Sequence, residues 1–249
     1  MPDAYLLVSH GSRDPRPEIA MQQLTESLCN KFQAYLVASG ANCLHLSKAL
    51  IDIAFLELRP EPLHKQIIQF AQVAIAHGCH RLNILPLFLL PGVHVMEDIP
   101  SEVELARNEI GENIVIDLKP YLGRSPKLLY LLTKQVAEEE TEGLILLSHG
   151  SRRPHSNVPV EVLAESLGAL AAYWSVSPSL KSRIQELLAN GHKRIAIFPY
   201  FLFAGGITDA IAQSLEELKL QFPGVSFRLA QPLAASPELA EVIWDFIQT

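Results

Sequence analysis

Three side chains in the first 100 residues have the types and the placement to do chemistry: His10, Glu57 and His94. Each follows a short apolar run that reads as a buried strand, and in an open parallel sheet the segments just past the strand ends converge on one rim, where ligands bind. Two imidazoles and one carboxylate suit a divalent first-row metal of intermediate softness. Three ligands leave coordination positions open, which fits transfer or catalysis better than permanent structural binding. The neighbouring Glu97 and Asp98 read as acids favouring a helix start through its dipole, with a contribution to the rim as the second option.

The elements that would position these groups occur twice. Leu6-Leu7-Val8-Ser9-His10-Gly11-Ser12-Arg13 returns as Ile145-Leu146-Leu147-Ser148-His149-Gly150-Ser151-Arg152 at an offset of 139, and Pro86-Leu87-Phe88-Leu89 returns as Pro199-Tyr200-Phe201-Leu202 at an offset of 113. The second copy is therefore shorter between these landmarks. It keeps one histidine, His149, but reads Gly205-Gly206-Ile207 where the first reads Gly92-Val93-His94. An alignment through Ala54-Phe55-Leu56-Glu57 and Ala171-Ala172-Tyr173-Trp174 places Trp174 opposite Glu57. The second copy thus reads as a wall of a cleft and not as a second site. His149 either bonds within its own turn or reaches ligand from that wall.

The pattern predicts strands at Ala4–Val8, Ile51–Leu58, Arg81–Leu89 and Ile114–Leu118. Helices are predicted at 17–37, Pro62–His77, Glu97–Ile110 and from the Ser125-Pro126 cap to about Glu140, and the same order repeats from Gly143. Alternating strands and helices with right-handed crossovers give an α/β fold of two flavodoxin-like halves facing each other, each a parallel four-stranded sheet flanked by helices. The expected domains are 1–141, with the complete site, and 142–249, a degenerate repeat. His77 and His192 flank helix-ending glycines and read as carbonyl caps, while His45, His64, His80 and His155 match no partner spacing. The acidic run Glu138-Glu139-Glu140 with Glu142 reads as a solvated helix end and linker.

Of the 249 residues 49% are hydrophobic, enough for each half to bury its own core, and the net charge of −7 argues against a nucleic-acid partner. Cys29, Cys43 and Cys79 have neither zinc nor redox spacing and read as thiols in a reducing compartment. A first strand beginning by Ala4 leaves no room for a secretory leader, and no apolar run reaches the roughly 18 residues of a membrane span. The expectation is a cytoplasmic protein with no membrane partner.

Ser9-His10-Gly11-Ser12-Arg13, Phe55-Leu56-Glu57 with Pro60, and Pro86-Leu87-Phe88-Leu89 leading into Gly92-Val93-His94 together resemble the class II chelatases that insert metal into sirohydrochlorin, most closely their long, internally duplicated members. The resemblance spans nearly the whole chain. It implies that His10, His94 and Glu57 form the insertion site, with His10 and His94 on the metal and Glu57 supporting proton removal. It also implies a lyase of siroheme or cobalamin biosynthesis that takes Fe2+ or Co2+ as substrate and has no permanently bound cofactor. Iron is favoured because the chain carries no histidine-rich metal-storing tail. The family's substrate bears eight carboxylates, for which Ser12, Arg13, Arg16, Ser151, Arg152 and Arg153, in loops preceding helices, are the candidate partners. Fused halves need no second copy to build a two-walled site, so a monomer is workable. Two rivals remain. A non-catalytic tetrapyrrole or metal carrier would use the same scaffold, and a histidine phosphatase also places His-Gly after its first strand, though behind Arg where this chain has Ser9.

Overall fold

The structure, a computed structural model, describes residues 3–38, 50–137 and 140–247. Strand β1 (Asp3–Ser9) is buried at every position from Ala4 onward, as a strand covered on both faces must be. It is followed by α1 (Arg16–Ala38), β2 (Leu50–Phe55), α2 (Leu63–Ala76), β3 (Arg81–Pro86), α3 (Ile99–Ile110), β4 (Val115–Leu118) and α4 (Pro126–Ala137). All four strands pair in parallel in the order β2-β1-β3-β4. The second repeat has β5 (Gly143–Ser148), α5 (Val158–Ser166), β6 (Leu170–Tyr173), α6 (Leu180–Ala189), β7 (Arg194–Pro199), α7 (Gly206–Gln221), β8 (Ser226–Leu229) and α8 (Leu239–Ile247), with the matching order β6-β5-β7-β8. The predicted α/β class and strand count hold in both halves.

Side-chain alternation divides β1 between two layers. Ala4, Leu6 and Val8 join one cluster with Ile84 of β3, Ile67, Ala71 and Ala74 of α2, and Val103 and Ala106 of α3, while Tyr5 and Leu7 are buried on the opposite face. The apolar residues of α2 recur at helical spacing, which turns one stripe onto the sheet. Pro62 offers no side-chain cap to that helix. The Glu102 carboxylate supplies one instead, accepting from the His64 amide (2.7 Å) and from His64 Nδ1 (2.8 Å). This pairing of α2 with α3 across 38 residues is why no local spacing revealed a partner for His64. At the other end Gly78, at φ +75°, turns the chain, and His77 Nδ1 donates to the Val73 carbonyl (2.8 Å) as a cap. His192 behaves differently: its Nδ1 is buried without a hydrogen-bond partner, so the expected cap is absent there.

Four boundaries differ from expectation. Strand β2 stops at Phe55 instead of Leu58 and β3 at Pro86 instead of Leu89, because β1, the strand between them, ends at Ser9. Just beyond those points Leu56 still donates to Ser9 (2.9 Å) and Leu87 to Val8 (2.7 Å), and the apolar residues that follow serve loops. The third helix begins earlier than Glu97, with a wide π turn over His94–Asp98 that runs into α3. Finally, the contact units are Met1–Ser125 with Glu238–Thr249, and Pro126–Pro237, where the sequence repeat divides at 141/142. The reason is that α8 packs on α1: Lys31 Nζ reaches Glu241 (2.9 Å), and the Phe32 and Trp244 rings meet edge to face at 5.6 Å. Within the second unit, Glu142 is more than a linker residue. Its carboxylate accepts from the amides of Lys193 (2.7 Å) and Arg194 (3.2 Å), which holds its pKa below the usual carboxylate value. Glu138, Glu139, Cys43 and His45 lie outside the described residues. Among the described residues no helix is long and apolar enough to cross a membrane.

Ile67 is fully buried in the first cluster whereas Leu220 on α7 is 84% exposed. Ile67→Ala is expected to cost about 2–5 kcal/mol and Leu220→Ala less than about 0.5, measured by urea denaturation.

Candidate metal centre

The strand order puts β1 between β2 and β3, so the loops after these three strands are neighbours at one end of the sheet. The β1 ladder runs past its own strand: the Leu56 amide donates to the Ser9 carbonyl and the Glu57 amide to the His10 carbonyl, both at 2.9 Å. These bonds set His10 and Glu57 side by side. Gly11 then turns the chain at φ +98°, and a Cβ there would lie 2.2 Å from the Glu57 carbonyl oxygen, so only glycine permits the approach. His10 Nε2 consequently stands 3.9 Å from Glu57 Oε2.

The third group arrives from β3. The Gly123 amide, in the turn after β4, donates to the Phe88 carbonyl (2.9 Å), and a Cβ on Gly123 would meet the Leu89 carbonyl oxygen at 2.0 Å. This close backbone contact fixes the path from β3 toward Gly92, whose carbonyl accepts from the Val95 and Met96 amides at 3.1 and 3.0 Å. His94 opens the π turn that follows, so it sits on the first helical turn and not in a loop as expected. Widened turns of this kind occur often at functional sites. Here the widening accompanies a specific bond: His94 Nδ1 donates to Asp98 Oδ2 at 2.7 Å.

The His10 and His94 rings meet edge-on, centroids 4.8 Å apart and planes at 79°. His10 Nδ1 lies 3.2 Å from the Gly11 carbonyl, so in both rings an acceptor engages Nδ1 and the neutral tautomer carries its lone pair on Nε2. One ligand atom from each of His10, Glu57 and His94 falls within 4.8 Å of the others. Ligand atoms around a single first-row ion, with bonds of about 2.0–2.2 Å, lie roughly 3–4 Å apart, so small side-chain rotations close the triad on an ion. His10 and Glu57 have about half of their side-chain surface exposed, which leaves the open coordination positions facing solvent.

His10, Glu57 and His94 are thus placed to hold a metal ion, on a duplicated α/β scaffold. A family model for CbiX matches residues 4–139 and again 143–249. The chain belongs to the CbiX family, and carries its domain twice. It is 25% identical to a sirohydrochlorin ferrochelatase of Priestia megaterium, over 99% of this chain and 90% of that one. It is also 23% identical to a sirohydrochlorin cobaltochelatase of the same organism, over 96% and 77%. Among solved structures, SirB from Bacillus subtilis with Fe3+ superposes with a TM-score of 0.75 at 21% identity, covering 100% of this chain and 95% of that chain. A cobalt complex of SirB from Bacillus subtilis subspecies spizizenii gives 0.70 at 21%, covering 100% and 94%. These likenesses establish the fold.

The second CbiX repeat keeps the frame and, of the three groups, only the histidine, His149. The Trp174 amide donates to Ser148 and the Ser175 amide to His149, both at 2.9 Å, and Gly150 turns at φ +81°. Because Ser148 pairs with Tyr173 as Ser9 pairs with Phe55, the residue opposite Glu57 is Ser175, one place beyond the expected Trp174. Ser175 Oγ donates to the His149 carbonyl (2.9 Å), so the turn is bonded through the His149 backbone. Among the described residues, the His10-Glu57-His94 group is the one set of three His, Cys, Asp or Glu side chains placed to hold a metal ion.

The residues expected to meet carboxylates divide into two kinds. Ser12 Oγ accepts from the Asp14 amide (3.0 Å) and Ser151 Oγ from the Arg153 amide (3.1 Å), so both serines shape matching turns. Arg16 is gripped by Asp14, with Nε 3.0 Å from Oδ1 and Nη2 2.5 Å from Oδ2, and this bond holds the Asp14 carboxyl at about 2. Arg13, Arg152 and Arg153 are exposed and form no ion pair among the described residues. Asp98 was not singled out as a partner of His94, although the i,i+4 spacing of the pair was its signal.

Two outcomes follow. Gly11→Ala is expected to lower the melting temperature and to abolish Co2+ binding, read by absorbance titration, since the added methyl drives Glu57 from His10. Asp14 is expected to titrate by NMR near 2 instead of its ordinary 3.8. Its contribution to stability is thus full above the ordinary value and lost as pH falls through the folded one, and Arg16→Ala moves the midpoint back up.

Proposed function

We propose that this CbiX-family chain is a sirohydrochlorin chelatase, a lyase that inserts Fe2+ or Co2+ into the macrocycle with the metal as substrate. The observation that carries the reading is the triad of His10, Glu57 and His94 at the strand ends, on a chain alignable over almost its full length with chelatases named for both metals. Two imidazoles and a carboxylate accept either ion.

In this reading the Nε2 atoms of His10 and His94 take the ion and displace part of its water, while Glu57 completes the hold. Insertion exchanges one M2+ for two pyrrole N–H protons. The half-exposed Glu57 carboxylate takes a proton and passes it to solvent. As the ion moves to the ring nitrogens the vacated imidazole lone pairs are free to take the second proton. Asp98 acts through His94: its bond to Nδ1 fixes the ring and the tautomer and stabilises the imidazolium when it forms. Arg13 supplies an exposed guanidinium group for the substrate's carboxylates, and Arg152 and Arg153 offer groups of the same kind on the second repeat. Ser12, Ser151 and Arg16 serve the loops that present them.

The test is anaerobic absorbance spectroscopy of sirohydrochlorin conversion with each metal. Wild type is expected to exceed the uncatalysed rate, His10→Ala and His94→Ala to lower kcat/KM about 100-fold or more, and Asp98→Asn about 10-fold. A folded wild type that accelerates neither reaction leaves a tetrapyrrole or metal binder and contradicts the enzyme.

A further inference from the structure

Directly after Glu57 the chain does something costly. Leu58 has φ +61°, and among the described residues only His155 shares a positive φ without being glycine. A γ-branched apolar residue has no local hydrogen bond to offset the left-handed conformation, in contrast to the Asn, Asp or His residues that tolerate it. The backbone is held there from both sides. The Glu57 amide is bonded to His10, and the Arg59 guanidinium lies 4.2 Å over the Phe55 ring with Nη2 2.5 Å from Glu18. The result is not burial: Leu58 is 53% exposed.

The second repeat shows the ordinary alternative. Strand register matches Leu58 with Val176, which keeps a negative φ, is half-buried, and packs its Cγ2 2.8 Å from where a Gly150 Cβ would stand. In the first repeat that inward contact is replaced by an outward leucine beside the metal ligands. A second large apolar group, Met96, is 62% exposed in the π turn two residues after His94. One exposed apolar side chain therefore adjoins Glu57 and another adjoins His94. A left-handed backbone kept beside a candidate ligand while half of the side chain stays in solvent indicates a contact made outside the protein.

We propose that Leu58 and Met96 are the apolar seat for the face of the tetrapyrrole ring, holding it against the triad so that an ion on His10 and His94 confronts the ring nitrogens. This rests on the chelatase reading and extends it to residues that bind the ring and not the metal. A flat conjugated macrocycle offers a large apolar face whatever its peripheral charge, and the carboxylates are met separately by arginines.

The test titrates the full-length protein with metal-free sirohydrochlorin by absorbance, and separately with Co2+, alongside thermal melts. Leu58→Gly and Met96→Ala are each expected to weaken sirohydrochlorin binding about tenfold and to leave Co2+ binding unchanged. Leu58→Gly should not lower the melting temperature, because glycine adopts a positive φ freely, and Leu58→Met should restore ring binding. Unchanged sirohydrochlorin affinity in both truncated variants overturns the proposal while leaving the chelatase reading standing. A wild type that binds Co2+ but no sirohydrochlorin removes the substrate reading and the proposal with it.

Discussion

The pairing of His10 with Glu57 depends on backbone hydrogen bonding that continues past the strand ends, from the Leu56 amide to the Ser9 carbonyl and from the Glu57 amide to the His10 carbonyl. This bonding brings two loops together at the separation of adjacent strands, so that an imidazole and a carboxylate emerge in parallel. Gly11 makes that approach possible by having no Cβ to collide with the Glu57 carbonyl. The second repeat builds the same bond between Ser175 and His149 and the same turn at Gly150, yet it holds no metal-binding group among the described residues. The frame and the chemistry are thus separable. The frame is backbone geometry and recurs in both repeats; the three-residue cluster is a matter of side chains and is found, among the described residues, in the first.

The second constraint is the orientation of imidazoles. A histidine on a surface turn rotates freely, and a metal site assembled from free rotors would lose the ordering entropy each time it bound. Here His10 is held by the Gly11 carbonyl and His94 by Asp98, and the rings brace one another edge-on. The π turn matters because it carries His94 and Asp98 on one widened turn while the helix beyond keeps its apolar stripe on the sheet. His10 and Glu57 stay about half exposed, so the space beside them is open to solvent.

Much of this was legible in the sequence. Strands buried on both faces announce themselves as short apolar runs, and duplication of Ser-His-Gly-Ser-Arg located the β1 loop twice. His10 and Glu57 fall within two residues of a strand end, where the sequence pattern looks for them, whereas His94 lies eight residues past β3 on a helical turn that the pattern does not show. What escaped was pairing that no local spacing encodes. The ends of β2 and β3 depend on where β1 stops, and the apolar residues beyond them gave no sign of it. Ser175 and Trp174 exchange roles by one register step, which a loop alignment does not resolve. Arg16 reads like Arg13 in the sequence, and only the structure shows Asp14 consuming it. The π turn was invisible because residues alone do not distinguish i,i+5 bonding from an ordinary helix start.

Whether His10, Glu57 and His94 together hold the metal is read by anomalous diffraction from crystals soaked in Co2+. The expected result is one ion on this rim, bonded to Nε2 of His10, Nε2 of His94 and a Glu57 carboxylate oxygen, with Asp98 still on His94 Nδ1. An ion bound at His149 or elsewhere, with these three side chains unengaged, would contradict it.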